Sequence, residues 1–272
     1  MREYDKRLAA PYLVWMAVFT VIPLLIVCYY ALTDADGNLT LSNLVSVSGY
    51  GSVFARSLLL AMIATVICLV IAFPVGYFLS RLRVNKQRIM QMLVMLPMWM
   101  NFLLRTYSWV FLLERNGFFN TLLETVGLPK LDIIGSPTAV VLGMVYNFLP
   151  FMVLPIFSVI EKIDPRVIEA AQDLGANSSQ VFRRVIFPLS LPGVLSGVTM
   201  VFIPSVSTFV ISRLLGGGMN LLLGDLIEMQ FLGSAYNPHL GSAISLVMMV
   251  IVLVSMGIMN RFGEGEGEAV LL

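Results

Sequence analysis

An all-α, polytopic membrane protein with six transmembrane helices is predicted by three features of this 272-residue chain. Hydrophobic residues make up 58% of it and charged residues 12%. Mean hydropathy is +0.89, a balance that places the chain with integral membrane proteins rather than soluble domains. The apolar residues gather into six runs of the roughly 20 residues that a hydrocarbon core requires. The last feature is a long hydrophilic stretch between the fourth and fifth runs, EKIDPRVIEAAQDLGANSSQVFRRVIFP from Glu161 to Pro188, which reads as structure outside the bilayer.

The first span runs from Pro11 to Leu32. Its basic front suggests a leader, but the apolar run is too long and no small-residue cleavage site precedes Thr33, so it is expected to stay as a span. Asp34 to Arg56 is a polar external loop with room for a short amphipathic helix. The remaining spans are Ser57 to Leu79, Ile89 to Leu113, Pro137 to Ile160, Ser190 to Ser212 and His239 to Asn260. Pro23, Pro74, Pro97, Pro150, Pro155 and Pro204 interrupt all but the last, and each is either a kink facing a cavity or a tolerated bend. Gly193 and Gly197 allow the fifth helix to approach another closely, within the chain or between chains. The tail Glu264 to Glu268, acidic and glycine-rich, is expected to be disordered. No internal repeat or soluble second domain is evident, so residues 1–272 read as one transmembrane domain.

Charge sets the expected orientation. Arg2, Lys6, Arg7, Arg81, Arg83, Lys86, Arg88, Lys162, Arg166, Arg183, Arg184 and Arg261 fall on one side, and only Arg56, Arg115, Lys130 and Arg213 on the other. The positive-inside rule puts both termini and the Glu161 to Pro188 loop in the cytoplasm. The opposite face carries Asp34, Asp36, Glu114, Glu124, Asp132, Asp225 and Glu228, a mild negative bias that would attract a cation.

Within the hydrophilic stretch, Asp164 is placed to cap a helix with Pro165 at its first position, where a missing N–H costs nothing. Val167, Ala170, Ala171 and Leu174 then share one narrow apolar face, and Gly175 ends the helix as a left-handed cap. Asn177 with Gln180 resembles a capping box opening a second helix, Ser178 to Phe187, stopped by Pro188. The expected unit is helix, sharp turn, helix.

Glu169-Ala170-Ala171, then Gly175, then an apolar ending at Val185-Ile186-Phe187-Pro188 resembles the coupling motif of ABC importer permeases. Segments around Leu96 to Trp99 and Leu104 to Tyr107, Tyr146 to Pro155, and Leu214 to Phe231 resemble the first permease subunit of spermidine/putrescine importers. The resemblance implies the type I permease fold and a multi-pass chain of the bacterial cytoplasmic (inner) membrane. It implies that Glu169, Ala170, Ala171, Asp173, Leu174 and Gly175 dock on a separate ATPase. It also implies partners: two copies of that ATPase, which bind ATP and magnesium, a second homologous permease, and an extracytoplasmic polyamine-binding protein. The chain itself is expected to bind no cofactor or metal and to touch membrane lipid.

The residues agree with a role other than catalysis. Gly216-Gly217-Gly218 is followed by Met219 and Asn220, without the lysine of a phosphate-binding loop. The only histidine, His239, and the two cysteines, Cys28 and Cys68, have no metal-ligand, redox or hydrolase spacing, so the cysteines read as packing residues. Net charge of +1 offers nothing to a nucleic acid.

A polyamine path needs aromatic faces and polar oxygens that bind a cation without trapping it. Trp99, Tyr107, Tyr146, Ser205, Ser207, Thr208 and Phe209 are the candidates, whereas Trp109 reads as part of an interfacial belt. No Asp or Glu lies in any span, so a mid-membrane carboxylate would have to come from the partner permease. Arg105 is the charge inside a span, read either as snorkelling or structurally paired, or as a gate. Two alternatives stay open: an importer for another small solute, and, from a different class, a secondary carrier or a membrane scaffold. A carrier would ordinarily show intramembrane acids.

Overall fold

Among the described residues the chain forms twelve helices, two of which follow breaks that the apolar runs conceal. The computed structural model describes residues 11–218, 220–233 and 235–267, so the N-terminal Arg2, Lys6 and Arg7 lie outside the described residues, as does Glu268. The helices are α1 Pro11–Ala31, α2 Ser42–Val47, α3 Gly51–Ser80, α4 Val84–Trp99, α5 Phe102–Leu113, α6 Phe118–Thr125, α7 Pro137–Glu161, α8 Pro165–Asp173, α9 Ser178–Ser207, α10 Val210–Leu215, α11 Leu223–Leu232 and α12 Pro238–Gly267. Among the described residues the exception to helix and turn is an isolated bridge between Thr33 and Leu39.

Among the described residues five helical stretches are long and apolar enough to cross a membrane unbroken, and the expected third span is the exception. It divides into α4 and α5 at Met100, which is extended (φ −78°, ψ 149°). The side chain of Asn101 explains the break: its oxygen accepts the N–H groups of Leu103 at 2.8 Å and Leu104 at 3.3 Å, so it starts a new helix instead of continuing the old one.

The fifth span departs in two ways. Pro188 does not stop the helix, because the preceding turn, Phe182–Ile186, is a π-turn whose N–H of Phe187 reaches the Phe182 carbonyl. That widened turn shifts the bonding register by one residue, so a proline without N–H is accommodated at the start of the next turn. The helix then breaks at Thr208 and Phe209, short of the expected Ser212. Ahead of the break, Pro204 withholds one N–H while Ser205 and Ser207 donate their hydroxyls to the carbonyls of Val201 and Ile203. The tail also differs from expectation: α12 continues through Gly267 instead of ending before Glu264.

The chain divides into two compact units. One takes the described residues up to Phe54 together with Leu226–Leu253. There the Asn43 amide donates to the Thr33 carbonyl at 2.9 Å, and His239 holds the Tyr30 carbonyl through Nδ1 at 3.1 Å with their rings edge to face. This is an ordinary structural histidine.

The other unit takes Ala55–Asp225 and the end of α12 from Val254 onward. Its main seam joins α7 to α9 around buried Met144, Met152, Val153, Ile156 and Val201. Gly193 and Gly197 serve this internal seam: a Cβ on Gly193 would lie 2.7 Å from the Pro155 carbonyl, and one on Gly197 would lie 3.3 Å from the Cα of Met152. Cys68 is fully buried here, and both cysteines are free, in keeping with packing roles.

Candidate functional site

Two features stand apart from the packed seam, an exposed helical hairpin at residues 164–187 and the pair of helix breaks. The hairpin is built by caps. The Asp164 carboxylate accepts the Arg166 N–H at 2.9 Å, and Pro165 opens α8. At the far end Gly175 sits at φ +85°, donating to the Gln172 carbonyl at 2.8 Å, while Ala176 donates to the Ala171 carbonyl at 3.0 Å. This pair of hydrogen bonds closes a Schellman motif, which requires a residue with positive φ at that point. Asn177 and Gln180 complete a reciprocal capping box, each side chain accepting the other's N–H at 2.9 Å.

The apolar face of α8 splits in two. Ile168 and Ala171 turn inward and pack on the core cluster, as do Ile163 and Ala176. Val167, Ala170 and Leu174 face out, and Leu174 is 89% exposed; Glu169 and Asp173 are exposed beside them. A nine-residue helix is thus gripped along one side while its outer side presents small and apolar residues flanked by acids. Two features of the hairpin had no sequence reading. Phe182, at the π-turn, packs edge-on to Phe73 at 5.5 Å and Tyr77 at 6.1 Å, fixing the hairpin to α3. A polar recess of about 340 Å³ lies beside it, lined by Asn177, Ser179, Gln180, Arg183 and Arg184. The adjacent arginines were the signal for it.

Part of the expected path lies at the two breaks. Trp99 ends α4 and is 67% exposed, and Ser207, Thr208 and Phe209 end α9 and open α10. The pieces that follow the two breaks, α5 and α10, pack against each other. At each break the last carbonyls of the first helix lack intrahelical donors and carry the negative end of its dipole. Ser207 and Thr208 also present their carbonyls to Gly224, where a Cβ would approach within 2.6 Å.

Other candidates lie elsewhere. Ser205 is fully buried with its hydroxyl spent on Val201 at 2.7 Å. Tyr146 is half-buried and meets Trp109 edge to face at 5.2 Å; Trp109 in turn stacks on Phe119 at 6.3 Å, so the expected belt tryptophan is packed inside an aromatic group. Tyr107 is exposed on α5. Arg105, one turn past the first break, is buried with Nε and Nη1 meeting no hydrogen-bond partner; its guanidinium lies 5.9 Å from the Phe102 ring. Asp225, expected to add negative charge outside, is buried, and its carboxylate accepts the Leu222 N–H at 2.9 Å. No group of three metal-ligating side chains occurs among the described residues.

Comparison with known proteins meets this geometry. The model of the family described as binding-protein-dependent transport system inner membrane component matches residues 69–264. The spermidine/putrescine transport system permease protein PotB of Haemophilus influenzae is 37% identical over 260 residues, covering 92% of this chain and 91% of the relative. Its Escherichia coli namesake is 37% identical over 248 residues, covering 88% and 90%. Among solved structures, a chain of a bacterial ABC transporter that imports the acidic polysaccharide alginate superposes with a TM-score of 0.81 at 16% identity, covering 96% of each chain.

Proposed function

The chain belongs to the family of inner membrane components of binding-protein-dependent transport systems, and from that premise we propose that it moves spermidine or putrescine inward and that α8 is its lever on the ATPase. It is a non-catalytic, multi-pass permease subunit of an ABC importer. As such it works in a complex with an ATPase and a substrate-binding protein. In the finer reading there are two ATPase copies, holding ATP and magnesium, one second homologous permease, and a polyamine-binding protein outside. Both termini and the 164–187 hairpin face the cytoplasm, supported by the arginine and lysine asymmetry. The whole chain is read as one permease domain.

The observation that carries the coupling role is the outward face of α8. Nothing in this chain covers Val167, Ala170 or Leu174 among the described residues, yet caps at both ends hold the helix rigid. A rigid helix with an uncovered apolar edge, flanked by Glu169 and Asp173, suits docking in a cleft. Its inward grip through Ile168 and Ala171 passes movement to the core.

The cargo reading is supported by the relatives' printed substrates and by the breaks. Each helix C-terminus carries about half a negative elementary charge, which favours a cation with no carboxylate in the span. Trp99 and Phe209 add exposed ring faces worth about 0.5–1 kcal/mol each to an ammonium group, enough to guide and too little to trap. Arg105, buried beyond the break beside the Phe102 ring, is either a structural charge or a gate that limits the cation's stay. In sequence of events, the binding protein delivers the polyamine to the external face. ATP-driven closure of the ATPases then moves α8, and the path reorganises around the breaks.

Uptake of radiolabelled spermidine and putrescine, in a strain freed of other polyamine transporters, tests the cargo. Deletion of this chain abolishes high-affinity uptake, and Trp99→Ala or Tyr146→Ala lowers the maximal rate while the importer still assembles. Undiminished uptake in the deletion strain overturns the polyamine reading and favours another small solute, leaving the family unaffected.

A further inference from the structure

An apolar groove of about 460 Å³ opens between α3 and α4, lined by neither the α8 face nor the break residues described above. Val75, Phe78 and Leu79 form its α3 wall and Met90, Leu93 and Val94 its α4 wall, around Pro74. The volume falls within the roughly 300–1,000 Å³ of small-molecule sites. Leu79 is buried at its floor, whereas Phe78, Met90 and Leu93 are exposed on its rims.

Charge distinguishes this groove from ordinary lipid-facing surface. The turn joining α3 to α4 holds Arg81 and Arg83, and α4 begins with Lys86 and Arg88, with no acid between. Arg83, Lys86, Met90, Leu93 and Val94 follow the helical three-and-four spacing, so two exposed cations continue the groove's own stripe by one to two turns. Arg88 lies on the opposite side of α4. Neither Arg83 nor Lys86 has an ion pair among the described residues. An apolar slot whose α4 wall runs on, one to two turns further, into two exposed cations matches the chemistry of an amphiphile with an anionic head.

We infer that this groove is a specific site for an anionic phospholipid, with an acyl chain between α3 and α4 and the phosphate on Arg83 and Lys86. The argument uses only the membrane location of the chain, so it stands or falls apart from the polyamine reading.

The assembled importer, in nanodiscs of defined composition, gives the test. The probe is phosphatidylglycerol with a photoreactive diazirine in mid-chain, and matched diazirine phosphatidylcholine is the control. Phosphatidylglycerol is expected to label the peptides spanning residues 74–79 and 90–94 several times more strongly than phosphatidylcholine. Arg83→Gln with Lys86→Gln reduces that labelling roughly fivefold for each cation removed. Leu93→Trp, which narrows the groove at its rim and leaves the cations in place, lowers it several-fold. The charge-conserving pair Arg83→Lys and Lys86→Arg keeps it, as does Arg88→Gln, and monodisperse elution of every variant separates lost binding from lost folding. Labelling that ignores the headgroup means ordinary surrounding lipid and overturns the site. Equal loss in Arg88→Gln overturns it too, as does cross-linking of the groove to the second permease in place of lipid.

Discussion

The 164–187 hairpin and the α7–α9 seam both rest on small residues along a helix, and they use them for opposite ends. In the seam, Gly193 and Gly197 remove side chains so that two long helices press backbone to backbone, and the contact is consumed within the chain. On α8, Ala170 is small but faces outward beside Val167 and Leu174, so the close approach it permits is left for another molecule. The seam is held by burial, which is non-directional and spread over many residues. The hairpin is gripped along one side by burial, but its shape is set by directional bonds at its ends. A lever needs this second arrangement, because its working face must remain bare while its shape stays fixed.

Four substitutions sharpen the contrast, ordered by their expected cost to the fold. Gly193→Leu drives a side chain into the Pro155 carbonyl and Val159, overpacking the seam by about 3 kcal/mol; thermal unfolding in detergent should show a large drop and little folded protein. Gly175→Ala meets no atom within 4 Å, so its cost is the positive φ alone, about 1–2 kcal/mol, localised to the hairpin and visible as faster proteolysis near residue 175. Asn177→Ala removes one half of the capping box for about 1 kcal/mol, with the same protease readout at lower intensity. Glu169→Lys is exposed and should leave stability within about 0.5 kcal/mol, yet uptake should fall and ATP hydrolysis should uncouple from transport. Normal uptake and normal substrate-stimulated hydrolysis in Glu169→Lys would erase the distinction between the two regions.

The contrast also explains what could be read in advance. Caps depend on residues three or four apart, so Asp164, Pro165, Gly175, Asn177 and Gln180 declared themselves in the sequence. The apolar runs announced the spans for the same reason. The break at Met100 was hidden because Asn101 sits within an apolar run, and hydropathy averages over it; the asparagine ahead of Phe102-Leu103-Leu104 was the available sign. The π-turn before Pro188 was not legible, since its wider register depends on Phe182 packing against Phe73 and Tyr77, over a hundred positions away in the chain. Nor could spacing tell that Ala171 turns inward while Ala170 turns outward, because both fit one stripe and only the neighbouring core divides them.

The coupling assignment is tested most directly at Leu174, whose side chain is 89% exposed. Cys28 and Cys68 are first replaced, with retained uptake as the control, and Leu174→Cys is introduced. Its rate of reaction with a maleimide is then compared between the permease alone and the assembled importer with its ATPase. The coupling account predicts rapid reaction in the permease alone and strong protection on assembly, together with a cross-link from this position to the ATPase. Equal reaction rates in the two states, with no cross-link, would contradict it.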